Sequence, residues 1–419
     1  MALCQELYVR HPSMSEHNTV AAVLREHGSS VYIPTVLFAI GEGSLVPLLP
    51  AAAIEMEATI ATAALVASML VVGQVLGSLP AGWLVSILGE KWTLASGALT
   101  ACFGTGSLLV ATGLPGLIFG AILVGSASSV FALARHALLA SSVPYSVRGR
   151  ALSLLGGAFR IGSFLGPLLG AIALSAFASN EAVFLVALVA MVMSLVLIVI
   201  SPRSPSDSRR SQARDVPAVG MLKTILIHRK VLFTVGLGTA AVSALRAVRL
   251  VLIPLWGTAL GLDTSVVSLI FGLGGAFEVG LFYFGGQVMD RFGRRWAAIP
   301  SVTIMTLALL AIAASDIVSF SFAWYTMCVV LSSLGNGLSS GLLLTLSADQ
   351  APAENTMRFL SSWRLLANTG AASLPVAVSI AIGVFGLVAG TIFAGTFGFL
   401  GLWLLWRWIP TSRVTPRTS

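Results

Sequence analysis

Roughly a dozen apolar runs of bilayer-spanning length constrain this chain more than any other feature. About 20 consecutive apolar residues cross a hydrocarbon core of ~30 Å, and backbone groups in that layer must pair within their own segment, so each run is predicted as a helix. The first six predicted spans are Val31–Ile54, Ala58–Val85, Trp92–Thr112, Leu117–Ser141, Ala151–Phe177 and Ala182–Ile200. The second six are Val231–Trp256, Ser265–Met289, Trp296–Ala314, Ala323–Ala348, Phe359–Phe385 and Val388–Trp408. Only 10% of the 419 residues are charged, well under the share of about 25% in soluble domains. A water-soluble protein is therefore excluded.

Between the sixth and seventh runs lies a basic, Pro- and Ser-rich stretch, 201–230, read as a linker between two halves, 31–200 and 231–409. The remaining segments, 1–30 and 410–419, are tails. Residues 1–29 have no apolar core of the kind a cleavable signal needs, and they include a second potential start, Met14. The ends of the spans, with the loops and tails on the side of both termini, hold 19 of the 24 Lys and Arg residues. The opposite loops hold none of them, but carry Glu55, Glu57, Glu181, Asp263 and Asp316. This asymmetry predicts that both termini are cytoplasmic, in a multi-pass protein of the plasma membrane. Basic residues alternate between loops instead of forming a patch, so the net charge of +8 does not imply nucleic acid. Cys4, Cys102 and Cys328 lie in the N-terminal tail and two separate spans, which gives neither a disulfide framework nor a metal site.

The halves repeat each other. Pro144, Arg150 and Pro167 recur 208 residues later as Pro352, Arg358 and Pro375, and Pro47 recurs 207 later as Pro254. The charged loop Gly286, Asp290, Arg291, Gly293, Arg294, Arg295 has a weaker twin 204 residues earlier, at Gly82, Ser86, Gly89, Glu90 and Lys91. Six-span halves with matching landmarks are the pattern of a repeat-built transporter.

These residues carry a resemblance to the major facilitator superfamily, whose GxxxDRxGRR loop motif matches Gly286–Arg295. The fifth span's Gly162, Gly166, Pro167 and Gly170 look like the antiporter signature of its proton-coupled drug exporters. The resemblance implies twelve helices in two pseudo-symmetric six-helix bundles, working by alternating access. It further implies proton-coupled efflux, by antiport, of small amphipathic compounds, with multidrug resistance as the associated role. Ser86, Glu90-Lys91 and Ala121 depart from the family pattern at the first loop and the fourth span. On physical grounds alone, glycines every four residues line one helix face and permit close packing.

Ionisable groups inside a bilayer cost about 2.5–3.5 kcal/mol on insertion scales, so each needs a partner or a task. Glu42 and Glu278 are the proton-coupling candidates, with Arg160, Arg246, Arg249 and Arg364 as intramembrane charge partners. Similar depths predict a Glu278–Arg160 pair. The shared prolines predict that Glu42 meets Arg249, or Arg246 one turn away. Gln74, Asn336 and Asn368 are the polar cavity or interface residues, with Gln74 and Asn368 reading as a neutral version of the charged 5/8 interface. Gly41, Gly43 and Ser44 around Glu42 are read as a route for water. Arg135 and His136, near the end of the fourth span, are read as interfacial.

Against an enzyme stand the short loops and the lack of a nucleotide loop, metal cluster or catalytic triad. Neither cofactor nor metal is expected. The expected partners are the lipid bilayer, a small-molecule substrate and protons, with the chain acting as a monomer. Two alternatives stay open: a transporter of an anionic metabolite, favoured by four deep arginines against two glutamates, and a non-transporting sensor of the same fold.

Overall fold

The structure is a computed structural model that describes Val23, Arg25, and residues 27–143, 145–202, 226–315, 317–318, 321–339, 341–350 and 356–409. Among them there is no strand. Helix α1 (Gly28–Glu55) opens on a π-helical turn, Gly28–Tyr32. The next helical run, Ile60–Leu109, has 50 residues. At 1.5 Å per residue it would measure about 75 Å, more than two bilayer cores. Gly89, at φ 78° and ψ 170°, divides it into α2 (60–88) and α3 (90–109). The first half closes with α4 (Leu114–Ser142), α5 (Tyr145–Phe177) and α6 (Asn180–Ile200).

The second half contains α7 (Arg229–Ala259), α8 (Thr264–Phe292), α9 (Arg294–Ile312), α11 (Thr356–Phe385) and α12 (Leu387–Trp408). Its tenth span, predicted as continuous, is in two pieces, α10a (Ser321–Leu338) and α10b (Leu342–Gln350). The sequence Gly337-Leu-Ser-Ser-Gly341 is poor in helix formers, and Gly341 turns the chain at φ 83°. Ten helical runs are long and apolar enough to span a membrane, one of them the double-length Ile60–Leu109. With that run taken as two spans and α10 added, the twelve predicted spans are all present.

The repeat is visible in the backbone. Gly293 links α8 to α9 at φ 99° and ψ 165°, nearly the conformation of Gly89, 204 residues earlier. Positive φ is strained for residues with a Cβ, which is why both turns carry glycine. Gly82 and Gly286 are different, because a Cβ at either would meet nothing within 4 Å. Both turns are tied to the end of the last helix of their half. Lys91 Nζ donates to the carbonyls of Val199, at 3.1 Å, and Ser201, where a cation complements the negative end of α6. Arg295, the twin of Lys91, stacks on Trp406 near the end of α12, 5.3 Å from the ring centre. Arg294 adds a bridge to Asp349 of α10b at 3.0 Å.

Glycines set the spacing of the helices. A Cβ on Gly125 of α4 would lie 1.9 Å from the Leu70 carbonyl oxygen of α2, so those backbones touch. The halves meet along α1/α7, α2/α11 and α5/α8. At α2/α11, Ser68 and Ser379 are hydrogen-bonded at 3.3 Å.

Candidate functional site

Glu42, Gln74 and Ser128 each lie fourteen residues from the linker-side end of α1, α2 and α4, roughly 21 Å deep at 1.5 Å per residue. Equal depth brings them together. Gln74 Nε2 and Ser128 Oγ both donate to Glu42 Oε1, at 3.1 and 2.8 Å. The other carboxyl oxygen, Oε2, is buried with no hydrogen-bond partner among the described residues. Arg135, two turns along α4 from Ser128, interacts electrostatically with Glu42. Arg135 is buried, and its guanidinium lies over the rings of Phe159 of α5 and Phe131, at 4.5 and 6.0 Å. Its Nε and Nη1 have no hydrogen-bond partner among the described residues.

The equivalent place in the second half is filled differently. Arg249 of α7 pairs with Glu278 of α8 at 2.7 Å, side chains 5% and 15% exposed. Asn336 Nδ2 of α10a donates to the second oxygen of Glu278 at 2.7 Å, and Arg249 Nη1 to Ser333 Oγ at 3.2 Å. Arg160 of α5 interacts electrostatically with both Glu278 and Arg249. Arg246 donates to the carbonyl and hydroxyl of Ser339, at 2.6 and 2.5 Å, closing the end of α10a where the tenth span breaks.

Three expectations are corrected. Glu42 does not meet Arg249 or Arg246, because each finds its hydrogen-bond or ion-pair partners inside its own half. Gln74 serves Glu42, so its amide does not form a neutral copy of the α5/α8 interface with α11. The space around Gly41 and Gly43, read as a route for water, is filled by neighbouring helices. A Cβ on Gly41 would lie 2.9 Å from Met191 of α6, one on Gly43 would lie 3.0 Å from the Ser163 carbonyl of α5, and Ser44 is fully buried. The predicted proximity of Arg160 and Glu278 is present as an electrostatic contact, with Arg249 the close partner.

Arg364 is exposed on α11, eight residues or about 12 Å from the helix start, and Asn368 is half-buried one turn further on. Arg364 interacts electrostatically with Arg135 and His136 of the other half. His136 Nδ1 lies 2.5 Å from the Ala132 carbonyl. Arg135 and Ser128 are the site residues that sequence reasoning missed. Their spacing of seven, two helical turns on one face, was the available signal. The side chain of Asp290 lies outside the described residues. On α5, a Cβ at Gly162 would come within 2.4 Å of the Val36 carbonyl, and one at Gly166 within 2.4 Å of that of Ile40. Gly170 is looser, 3.3 Å from Val183. Pro167 lies inside the helix. The motif is the surface on which α1 and α5 pack. Among the described residues no cluster could hold a metal ion.

Known proteins place this architecture. Similar solved structures include the xylose transporter XylE from E. coli in a partially occluded inward open conformation, at TM-score 0.69 and 12% identity, over 93% of this chain and 100% of that one. The nucleoside transporter NupG gives 0.68 at 14% identity, over 90% and 97% of the two chains. A POT family transporter in complex with a thioalcohol conjugated peptide gives 0.71 at 14%, over 91% and 95%. At these identities the likeness is one of fold. A curated relative, probable anion transporter 6, chloroplastic, of Arabidopsis thaliana, is 40% identical over 108 residues, 26% of this chain. The match spans about a fifth of that relative's length, 21%. The family model for the Major Facilitator Superfamily matches residues 31–356 and 235–419. With nearly all of both halves matched, the chain belongs to the Major Facilitator Superfamily and is a multi-pass membrane protein.

Proposed function

We propose that this transporter carries a small anion by alternating access of its two halves. The observation that carries this reading is the charge balance inside the spans. Five arginines (Arg135, Arg160, Arg246, Arg249 and Arg364) stand against two glutamates, Glu42 and Glu278. A cationic, low-dielectric interior concentrates anions and repels cations. The name of the 40%-identical relative supports the same substrate class. Export of amphipathic drugs rests on the α5 motif, and backbone contact with α1 accounts for Gly162 and Gly166 without a substrate. Proton coupling at Glu42, a monomeric state, and a plasma-membrane location with cytoplasmic termini complete the proposal.

Flux into proteoliposomes holding the purified protein tests it. Phosphate, sulfate, mono- and dicarboxylates and amphipathic cations are each offered with and without an imposed proton gradient. Saturable uptake of an anion is expected. Flux of amphipathic cations with no anion flux would return the reading to drug export, and no flux at all to a sensor. Reporter fusions at each terminus test the orientation.

A further inference from the structure

An apolar groove of about 600 Å³ runs down the outside of the first half, between α5 and α6. Leu169, Ala173 and Phe177, four residues apart on α5, form one wall, and α6 forms the other from Glu181 to Met193. Phe177, Val189 and Met193 on its rim are exposed. The helices meet behind it, where a Cβ on Gly170 would lie 3.3 Å from Val183. Leu37 and Ile40 of α1 close the deep end. From Glu181 to Met193 the groove is twelve residues or about 18 Å long, close to the ~15 Å of one leaflet in a core of ~30 Å. It starts at the turn between α5 and α6, so it lies in the leaflet opposite the linker. A groove open to hydrocarbon does not stay empty, because its walls would forfeit their dispersion contacts, and below the mouth this lining offers water no partners. A helix 18 Å long and ~10 Å across occupies roughly 1,400 Å³, more than twice the space available. An acyl chain fits.

We propose that this groove is a lipid site, which holds one acyl chain of a phospholipid whose headgroup carries a primary ammonium. The mouth supplies the polar contacts. Glu181 is exposed there with no ion pair among the described residues, and the loops on this side of the protein hold no Lys or Arg to serve it. A cation beside it comes from the surroundings. Asn180, next to it in the chain, has a buried Nδ2 with no hydrogen-bond partner among the described residues. Ser179 Oγ is already taken, accepting from the Glu181 amide at 3.1 Å. An ammonium N–H of the lipid donates to the Glu181 carboxylate, and Asn180 Nδ2 donates to a phosphate oxygen. A quaternary choline has no N–H to give, and a net anionic headgroup is repelled by Glu181. The site is separate from the polar clusters of both halves and does not depend on what the protein carries. Its deep end touches Ile40, two residues from Glu42, so the lipid chain braces α1 from outside the bundle.

Photoactivatable phospholipids test this. Each carries a diazirine in the acyl chain and an ethanolamine, choline or glycerol headgroup, and is added in trace amounts to full-length protein in phosphatidylcholine nanodiscs. Labelled peptides are then mapped and counted. The ethanolamine probe should label residues 169–193 several times more densely than the exposed face of α12. Within that stretch it should exceed the choline probe by about two- to fivefold, the range of an exposed ion pair. Glu181→Gln, at an exposed position, should bring those two probes level without dispersing the labels. Val186→Trp fills the groove from a half-buried position and should remove labels from this stretch for every probe, while those on α12 persist. Val189→Trp, on the exposed rim, should act in the same direction. Labels spread evenly over the lipid-facing helices overturn the groove site. Concentrated labels with no preference for ethanolamine, or with the glycerol probe strongest, overturn the headgroup assignment.

Discussion

Five residues before the proline of α1 the chain carries Glu42, and five residues before the equivalent proline of α7 it carries Arg249. Gln74 and Glu278 are equivalent on α2 and α8, as are Ser128 and Asn336 on α4 and α10a, at offsets of 204 and 208. The same three positions thus build a polar cluster in each half. The second half encloses a complete ion pair, braced by an amide. The first half encloses one acid, hydrogen-bonded by two neutral groups through a single oxygen, with its charge partner two turns away. A neutral pair has little to exchange with an incoming ion. An acid with one oxygen unbonded among the described residues has more to exchange. On the proposed reading, coupling falls to the first half and the second half serves as the rigid partner.

The largest effect should come from breaking the rigid side. Arg249→Ala takes the close cation from a part-buried Glu278 and leaves it Asn336 and the more distant Arg160, so the cost should fall near the lower end of the about 3–5 kcal/mol for breaking a buried pair. Glu42→Gln keeps the polar contacts of the first half, and its cost should be under about 1.5 kcal/mol. Denaturant or thermal unfolding in detergent compares the two. Equal losses would break the distinction drawn between the halves.

Much of this was legible from residue type and position. The spans, the paired glycine turns and each deep glutamate and arginine could be read because hydrocarbon leaves so few ways to place a polar group. The partners were harder. Aligning the repeats set Glu42 against Arg249 because they are equivalent, but equivalence across a pseudo-twofold axis does not make two side chains neighbours. Each takes its partners from helices of its own bundle, which only the packing of α1 on α2 and α4, or of α7 on α8 and α10a, decides. Arg135 read as interfacial because it lies seven residues from a helix end. The ring that holds it, Phe159, comes from another helix.

Packing gives the next contrast. Gly162 and its equivalent, Gly370, both let a helix of the repeat touch its neighbour's backbone, the latter with a Cβ position 2.6 Å from the Ala240 carbonyl. Gly166 has no such counterpart, because the equivalent residue is Leu374, which is 4% exposed. Gly166→Ala should force α5 off α1 at a cost of about 1–3 kcal/mol and slow transport, since α1 carries Glu42. Thermal stability and flux of the one variant check both. Unchanged stability would mean that α1 and α5 separate more easily than their backbone contact implies.

The loops sharpen the comparison further. Lys91→Met removes a cation from the carbonyls ending α6 while keeping most of its volume, and should cost about 1–2 kcal/mol. The bridge between Arg294 and Asp349 is partly exposed, so Asp349→Asn should cost no more than about 0.2–1 kcal/mol. A reversal of that order, read from unfolding midpoints, would mean that the charged loop of the second half is the stronger structural anchor.

The smallest effect should be at Ser86. Its hydroxyl is exposed and already bonded to the Trp83 carbonyl of its own helix at 2.7 Å, so it anchors nothing outside α2. Ser86→Ala should leave stability within about 0.5 kcal/mol of the wild type and transport close to the full rate. Its counterpart Asp290 supplies the sole negative charge of a loop that also holds Arg291, Arg294 and Arg295. Asp290→Asn removes that one negative charge, and flux should fall further than in Ser86→Ala although neither variant unfolds. Equal flux from the two would show that the loops act alike in both halves, and that Lys91 and Arg295, not the acid, carry their shared role.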